Sequence, residues 1–384
     1  MIKFLKTTVP ATILALGLAG GWSAAQAEIR LGASISATGP AAFLGDPEAK
    51  TLEMLVAELN EKGGINGEQI KLVMYDDGGD ANKARTFATR LIEDDEVVAI
   101  IGGTTTGTAM SILSVAEDAE IPFIALAGAI EIIKPVRAYT FKTPHTDRMA
   151  CQKIYEDMGK RGITKIGLIS GTDGFGASME AQCKDVAKDY KIEIIVDETY
   201  DPKDADMTAQ LTKIRNTGGI QAVLNPGFGQ GPSIVTRNYH QLGIELPLYQ
   251  SHGVASSGFI ELAGKQAADG VRLPGTALLV ADLLSKDDPQ QPLVTAYKTK
   301  FEERYKMPVG TFGGYAHDAL LIITDAVTRA GSAEPQAIRD AIEKTSGLAG
   351  ATGIYTFSPE DHLGLDLSAF RMLEIKDGGW TLAE

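Results

Sequence analysis

From Glu28 to Gln250 short apolar runs alternate with longer segments of helical periodicity, and few folds accommodate that alternation. A run such as residues 97–101 (VVAII) suits a strand covered on both faces. Strands separated by helices pair in parallel through right-handed crossovers. Strands are expected at residues 28–33, 70–75, 97–101, 122–125 and 139–143, with helices at 47–62, 80–94 and 111–119. After a helix opening near Asp147 the pattern starts again, with strands at 165–170, 193–198, 222–225 and 248–250 and helices at 177–189, 205–216 and 232–242. Helices at 291–305, 316–330 and 335–345 and strands at 353–357 and 367–375 are too few for a third core and divide between the two units. The expected fold is therefore α/β: two doubly wound parallel-sheet lobes joined by a hinge that the chain crosses near Thr143, Pro274 and Pro359. Residues 28–143 plus 275–358 make lobe 1, and 144–274 plus 359–384 make lobe 2.

One loop carries a chemical signal. Between the strand at 97–101 and the next helix lies GGTTTGTA, with Thr104, Thr105, Thr106 and Thr108. A hydroxyl-rich segment at a helix N-terminus gathers hydroxyl donors, unpaired backbone N–H groups and the positive end of the helix dipole. That combination suits a small anion, a carboxylate above all. The same run would also serve merely to cap the helix.

The first 27 residues stand apart. Lys3 and Lys6 precede an apolar stretch from Val9 to Leu18, and Ala25-Gln26-Ala27 makes a small-x-small cleavage site before Glu28. A secretory signal peptide at 1–27 is expected, without a cysteine for lipid attachment and hence without direct membrane anchoring. Removing Lys3 and Lys6 from the 36 basic residues leaves 34 against 50 acidic, a formal charge of −16. An acidic surface of this kind disfavours nucleic acid and anionic membranes. Cys151 and Cys183 fall on helices of the same unit; in an oxidising compartment they either pair or remain as buried thiols.

Enzyme signatures are missing. There is no GxSxG, GxxxxGK[ST] or HExxH, and His145, His240, His252, His317 and His362 have no metal-ligand spacing. Gly227-Phe228-Gly229-Gln230-Gly231 resembles half of a dinucleotide fingerprint, but Pro232 stands where the third glycine belongs. No catalytic activity, cofactor or metal is expected.

Several segments in their order and spacing carry a resemblance: LGASISATGPAAFLGD, ELNEKGGINGEQIKLVMYDD, IIGGTTTGTA, FKTPHTD, LISGTDGFGASME and LTKIRNTGGIQAVL. The chain resembles the type I periplasmic binding proteins for leucine, isoleucine and valine, which deliver ligand to the permease subunits of ABC transporters. The resemblance implies a periplasmic, monomeric receptor that closes its two lobes on a small-molecule carboxylate. Carried over position by position, the carboxylate-binding hydroxyl falls on Thr106, beside Thr105. Backbone groups for the ligand head fall on Ala127, Gly128 and Ala129, and the loop over the ligand side chain on Phe43 and Leu44. The two aromatic lids fall on Phe175 and Phe228, and the acceptor of the ligand ammonium on His252.

Two positions depart from the family's pattern: Ala129 replaces a threonine and His252 a carboxylate. Both lids have also lost a hydroxyl. An ammonium closed between lobes without an anionic partner costs several kcal/mol. The expected ligand is therefore an aromatic or other organic acid lacking an α-amino group, with a branched-chain or other amino acid as the alternative. A ligand-sensing receptor outside transport is the further alternative.

Overall fold

The computed structural model describes residues 1–3 and 28–383, so the expected signal peptide lies almost wholly outside the described residues. Two large sheets divide the rest. The first contains β1 (Glu28–Ile35), β2 (Gln69–Asp76), β3 (Ala99–Gly102), β4 (Phe123–Ala125) and β5 (Thr140–Lys142). Their order is β2-β1-β3-β4-β5, and every pairing is parallel. Every residue of β3 is buried, the burial its AIIG sequence implies for a strand covered on both faces. On one side lie α2 (Ala81–Glu93) and α3 (Thr106–Asp118), packed against each other. On the other, α1 (Ala42–Glu61) buries Leu52 and Val56.

The second sheet takes β6 (Lys165–Gly171), β7 (Glu193–Tyr200), β8 (Ala222–Asn225), β9 (Leu248–Gln250) and β10 (Arg272–Gly275) in parallel. The helices α4 (Asp147–Lys160), α5 (Gly174–Ala187), α6 (Thr208–Asn216), α7 (Gln230–Gln241), α8 (Ser257–Ala263) and α9 (Lys265–Ala268) belong to this half. The chain then returns through α10 (Gln291–Tyr305), α11 (Thr311–Ala330) and α12 (Pro335–Ile342) to the first sheet, where α11 packs along α1 and reaches β3. A small hairpin, β11 (Leu348–Ala349) and β12 (Ile354–Tyr355), follows, and β13 (Arg371–Lys376) and β14 (Gly379–Leu382) end the chain on the second sheet. The order there is β14-β13-β10-β9-β8-β6-β7.

Three features differ from the sequence expectation. First, α1 begins at Ala42 rather than near Pro47, so Phe43 and Leu44 sit in its first turn and not in a loop. Proline favours the first turn of a helix, which made Pro47 read as the start; it lies instead in the second turn, where its ring forfeits one backbone bond. Second, the second sheet is mixed, because β13 and β14 add an antiparallel hairpin to β10. The segment read as one strand at 367–375 is a 3₁₀ turn at Leu367–Ala369 followed by β13. Third, the last crossing comes after Leu365 and not at Pro359. His362 stays with the first sheet: its ring stacks on Phe141 at 4.1 Å, and its Nδ1 lies 2.9 Å from the Thr140 carbonyl.

Cys151 and Cys183 form a disulfide that clamps α4 to α5, at a sequence separation of 32. Both half-cystines are fully buried, and pairing is the outcome an oxidising compartment favours. Replacing both by serine should lower unfolding free energy by roughly 2–4 kcal/mol, since the cross-link restricts the unfolded chain. Urea denaturation of oxidised protein and the double variant at equal concentration measures it; equal midpoints would show that α4 and α5 hold each other without the bond.

Candidate functional site

In both sheets the chain reverses direction of winding at one place, between β1 and β3 in the first and between β6 and β8 in the second. At such a switch point the loops leaving adjacent strands part, opening a crevice at the carboxyl ends. Here the two crevices face each other and make one cleft, placed where small-molecule sites of α/β proteins form. The first sheet contributes Leu44, Thr104, Thr105, Thr106, Leu126, Ala127 and Gly128; α11 adds Phe312 and Tyr315. The opposite wall is Phe175, Phe228, His252 and Gly253, and Pro144 on the crossing strand closes one end.

The three threonines do different work. Thr104 Oγ1 accepts from the Ser36 backbone N–H at 3.0 Å and donates to Glu48 Oε2 at 2.6 Å, so its hydroxyl is spent on structure. Burial pushes the Glu48 carboxyl well above the usual range, against the Thr104 hydrogen bond. Thr105 caps α3: its Oγ1 accepts from the Thr108 N–H while the Thr108 hydroxyl accepts from the Thr105 N–H. Thr106, the first helical residue, has a buried Oγ1 without a protein partner. The capping reading holds for Thr105, while Thr106 alone of the three keeps a hydroxyl without a protein partner.

Gly128 allows the lobes to meet. A Cβ there would lie 2.8 Å from the Phe175 ring and 3.0 Å from His252 Nε2. Beside it, Phe175 meets Phe228 edge-on at 6.1 Å and His252 at 5.4 Å. Burial, with the Lys142 charge adding to it, pulls the His252 imidazole down to about 3. His145, stacked on Phe370 at 3.9 Å, is likewise held well below its usual value by burial, then by His252 and Lys142. Both rings are neutral in neutral solution.

Two expected residues lie elsewhere. Ala129 is fully buried and does not line the cleft; it is the residue preceding a 3₁₀ turn, and its backbone carbonyl is what matters. Phe43 borders a neighbouring groove with Pro40, Phe259 and Leu262, and supports the cleft from behind by packing on Phe228 and Phe312 at 6.3 and 5.9 Å. Phe312 and Tyr315 escaped the sequence reading because aromatics at helical spacing read as core. Tyr315 is core by burial, yet its hydroxyl has no protein partner. The GFGQG run contacts protein: a Cβ at Gly227 or Gly231 would lie 2.3 or 2.4 Å from Tyr200, so the glycines make room for a tyrosine. Among the described residues no cluster of His, Cys, Asp and Glu could hold a metal ion, and no helix is long and apolar enough to cross a membrane.

A two-lobed α/β molecule with its cleft at both switch points is the architecture of solute receptors, and the family model described as "Periplasmic binding protein" matches residues 28–379. The chain belongs to that family. It is 25% identical over 332 residues to the leucine-, isoleucine-, valine-, threonine- and alanine-binding protein of Pseudomonas aeruginosa, covering 85% of this chain and 86% of that one. It is 24% identical to Leu/Ile/Val-binding protein homolog 3 of Brucella melitensis, covering 88% and 89%. Among solved structures, an extracellular ligand-binding receptor from Rhodopseudomonas palustris superposes with a TM-score of 0.86 at 28% identity, covering 93% of this periplasmic binding protein and all of the other. The branched-chain amino acid transporter substrate-binding protein LivJ from Streptococcus pneumoniae, solved with isoleucine, shares the fold at a TM-score of 0.82, with 23% identity and coverage of 93% and 99%.

Removing the Thr106 hydroxyl (Thr106→Ala) should weaken a carboxylate ligand by roughly 1.5–3 kcal/mol, the worth of a hydrogen bond to a charged group, and leave thermal stability unchanged. Thr104→Ala should do the reverse, lowering the melting temperature because Glu48 and the Ser36 N–H lose a buried partner. Calorimetric titration and thermal melts of both variants test the division of labour. Equal loss of affinity at both positions would contradict it.

Proposed function

We propose that this periplasmic binding protein is a transport receptor for a small organic acid, aromatic or apolar and without an α-amino group, which it delivers to the permease subunits of an ABC import system. One observation carries the proposal. No carboxylate stands among the residues lining the cleft, while the Thr106 and Tyr315 hydroxyls are buried there without partners. A ligand carboxylate accepts hydrogen bonds from both hydroxyls, whereas an ammonium needs an anion that this lining does not supply. Thr106, Thr105 and the backbone at Ala127 and Gly128 would hold the acid head. Leu44, Phe175, Phe228 and Phe312 would enclose an apolar body, with His252 at its far side. Ala129 contributes less than the sequence suggested, since its side chain does not reach the cleft.

The amino-acid alternative draws on the Pseudomonas and Brucella relatives, which are named for binding leucine, isoleucine and valine. The neutral His252 ring offers one acceptor, so it does not forbid an amine outright. Calorimetry with matched pairs separates the two: phenylpropanoate against phenylalanine, and 4-methylpentanoate against leucine. The acid should bind tighter in each pair. Tighter binding of both amino acids would make this an amino-acid receptor with an unusual pocket. Binding of neither class, accompanied by chemical turnover of any of them, would remove the receptor reading altogether.

A further inference from the structure

Behind the cleft wall lies a lysine that the ligand would not touch. Lys142, the last residue of β5, is fully buried. Its Nζ donates to the carbonyl of Gly128 at 2.8 Å and to that of Ala129 at 3.2 Å. The backbone N–H of Asp147 donates to the same Gly128 carbonyl at 3.1 Å. A carbonyl oxygen has two lone pairs, so the Gly128 oxygen has no capacity left for a ligand ammonium. Gly128 is also the residue in contact range of Phe175 and His252, which makes it part of the wall facing the cleft.

The groups around Lys142 explain how a cation persists there. Asp147, at the start of α4, accepts through Oδ1 from the N–H groups of Ile130 at 3.1 Å and Arg148 at 2.8 Å, and its Oδ2 pairs with the Ser178 hydroxyl of α5. Ser178 in turn lies 2.6 Å from Glu131 Oε2, so the network spans both lobes. Asp147 and Glu131 are the anions that favour charged Lys142, while neutral His145 and His252 lie toward the cleft. Burial pulls the lysine down to about 7 against those two anions, and burial pushes Asp147 up to about 6 against its hydrogen bonds and Lys142.

We propose that Lys142 is a positioning residue that sets the charge class of the ligand, favouring an anion through its own charge and denying an ammonium the Gly128 carbonyl. This rests on the cleft being the ligand site, and deepens the organic-acid reading. The test is titration of a matched pair, phenylpropanoate and phenylalanine, into wild type, Lys142→Met and Lys142→Arg. In Lys142→Met the acid should bind about ten-fold more weakly, as expected for loss of a nearby charge at intermediate dielectric, and the ratio of acid to amino-acid affinity should shrink with it. Lys142→Arg should restore that ratio. A residue that merely supports the fold would weaken both ligands together, so an unchanged ratio in folded Lys142→Met overturns the proposal. If that variant does not fold, the wild-type pH profile decides. Between about pH 6 and about pH 8 Lys142 loses its charge and Asp147 gains one, so acid affinity should fall several-fold while that of phenylalanine does not follow. A flat profile for the acid overturns the proposal. Should wild type prefer the amino acid, the organic-acid reading fails, yet the shift of the ratio in Lys142→Met still judges Lys142 on its own.

Discussion

Two sheets, one wholly parallel and one parallel but for its terminal hairpin, turned carboxyl end to carboxyl end, impose most of what this molecule does. Strands that all run one way release their loops, and the N-termini of the following helices, on the same side. Here that side is shared: Thr104 to Thr106 after β3, Ala127 and Gly128 after β4, Phe175 after β6, Phe228 after β8 and His252 after β9 converge on one cleft. A single sheet could offer only half of these contacts. The crossings near Thr143, after Gly275 and after Leu365 tie the halves together without filling the space between them.

Within that frame, the distribution of polar groups is uneven in an informative way. Most buried hydroxyls near the cleft are already engaged: Thr104 with Ser36 and Glu48, Thr105 with Thr108, Thr143 with the Tyr315 carbonyl. A buried hydroxyl without a partner costs about 1–3 kcal/mol, so those of Thr106 and Tyr315 would gain from an acceptor brought into the cleft. Phe175, Phe228, Phe43 and Phe312 pack on one another around the cleft, an apolar surround for those hydroxyls.

What could be read from the sequence was local and periodic. The runs at 97–101 and 165–170 had only one reasonable form, and the parallel pairing of the first sheet follows from strand–helix alternation. The Asp377-Gly378 turn was legible but overlooked: both residues have positive φ, at 54° and 77°, as in the two-residue turns that join hairpins. Tyr315 could not be seen from spacing, because α11 comes more than 200 residues after the threonine loop and its apolar face is continuous with the core. Lys142 was hidden differently. A lysine at the end of a short strand reads as a solvated residue, and only the folded chain shows it enclosed between Gly128, Ala129 and Asp147. The cysteines were ambiguous until α4 and α5 were placed side by side.

The magnitudes support the proposed ligand class where the shapes do not distinguish it from its alternative. Enclosing a branched or aromatic side chain against Leu44, Phe175, Phe228 and Phe312 gains about 1.5–3 kcal/mol, and it gains this whether or not the ligand carries an amine. An ammonium desolvated without a partner loses about 3–5 kcal/mol, as when one member of a buried ion pair is removed. A single bond to the neutral His252 ring recovers about 1.5–3 of that, the worth of a hydrogen bond to a charged group. The balance against the amine is then about 0–3.5 kcal/mol, at most about the size of the apolar gain. On the first lobe, Lys142 stands behind the wall and, with the Asp147 N–H, occupies the Gly128 carbonyl, so the proposed preference for an acid rests on an acceptor that is no longer offered to an amine.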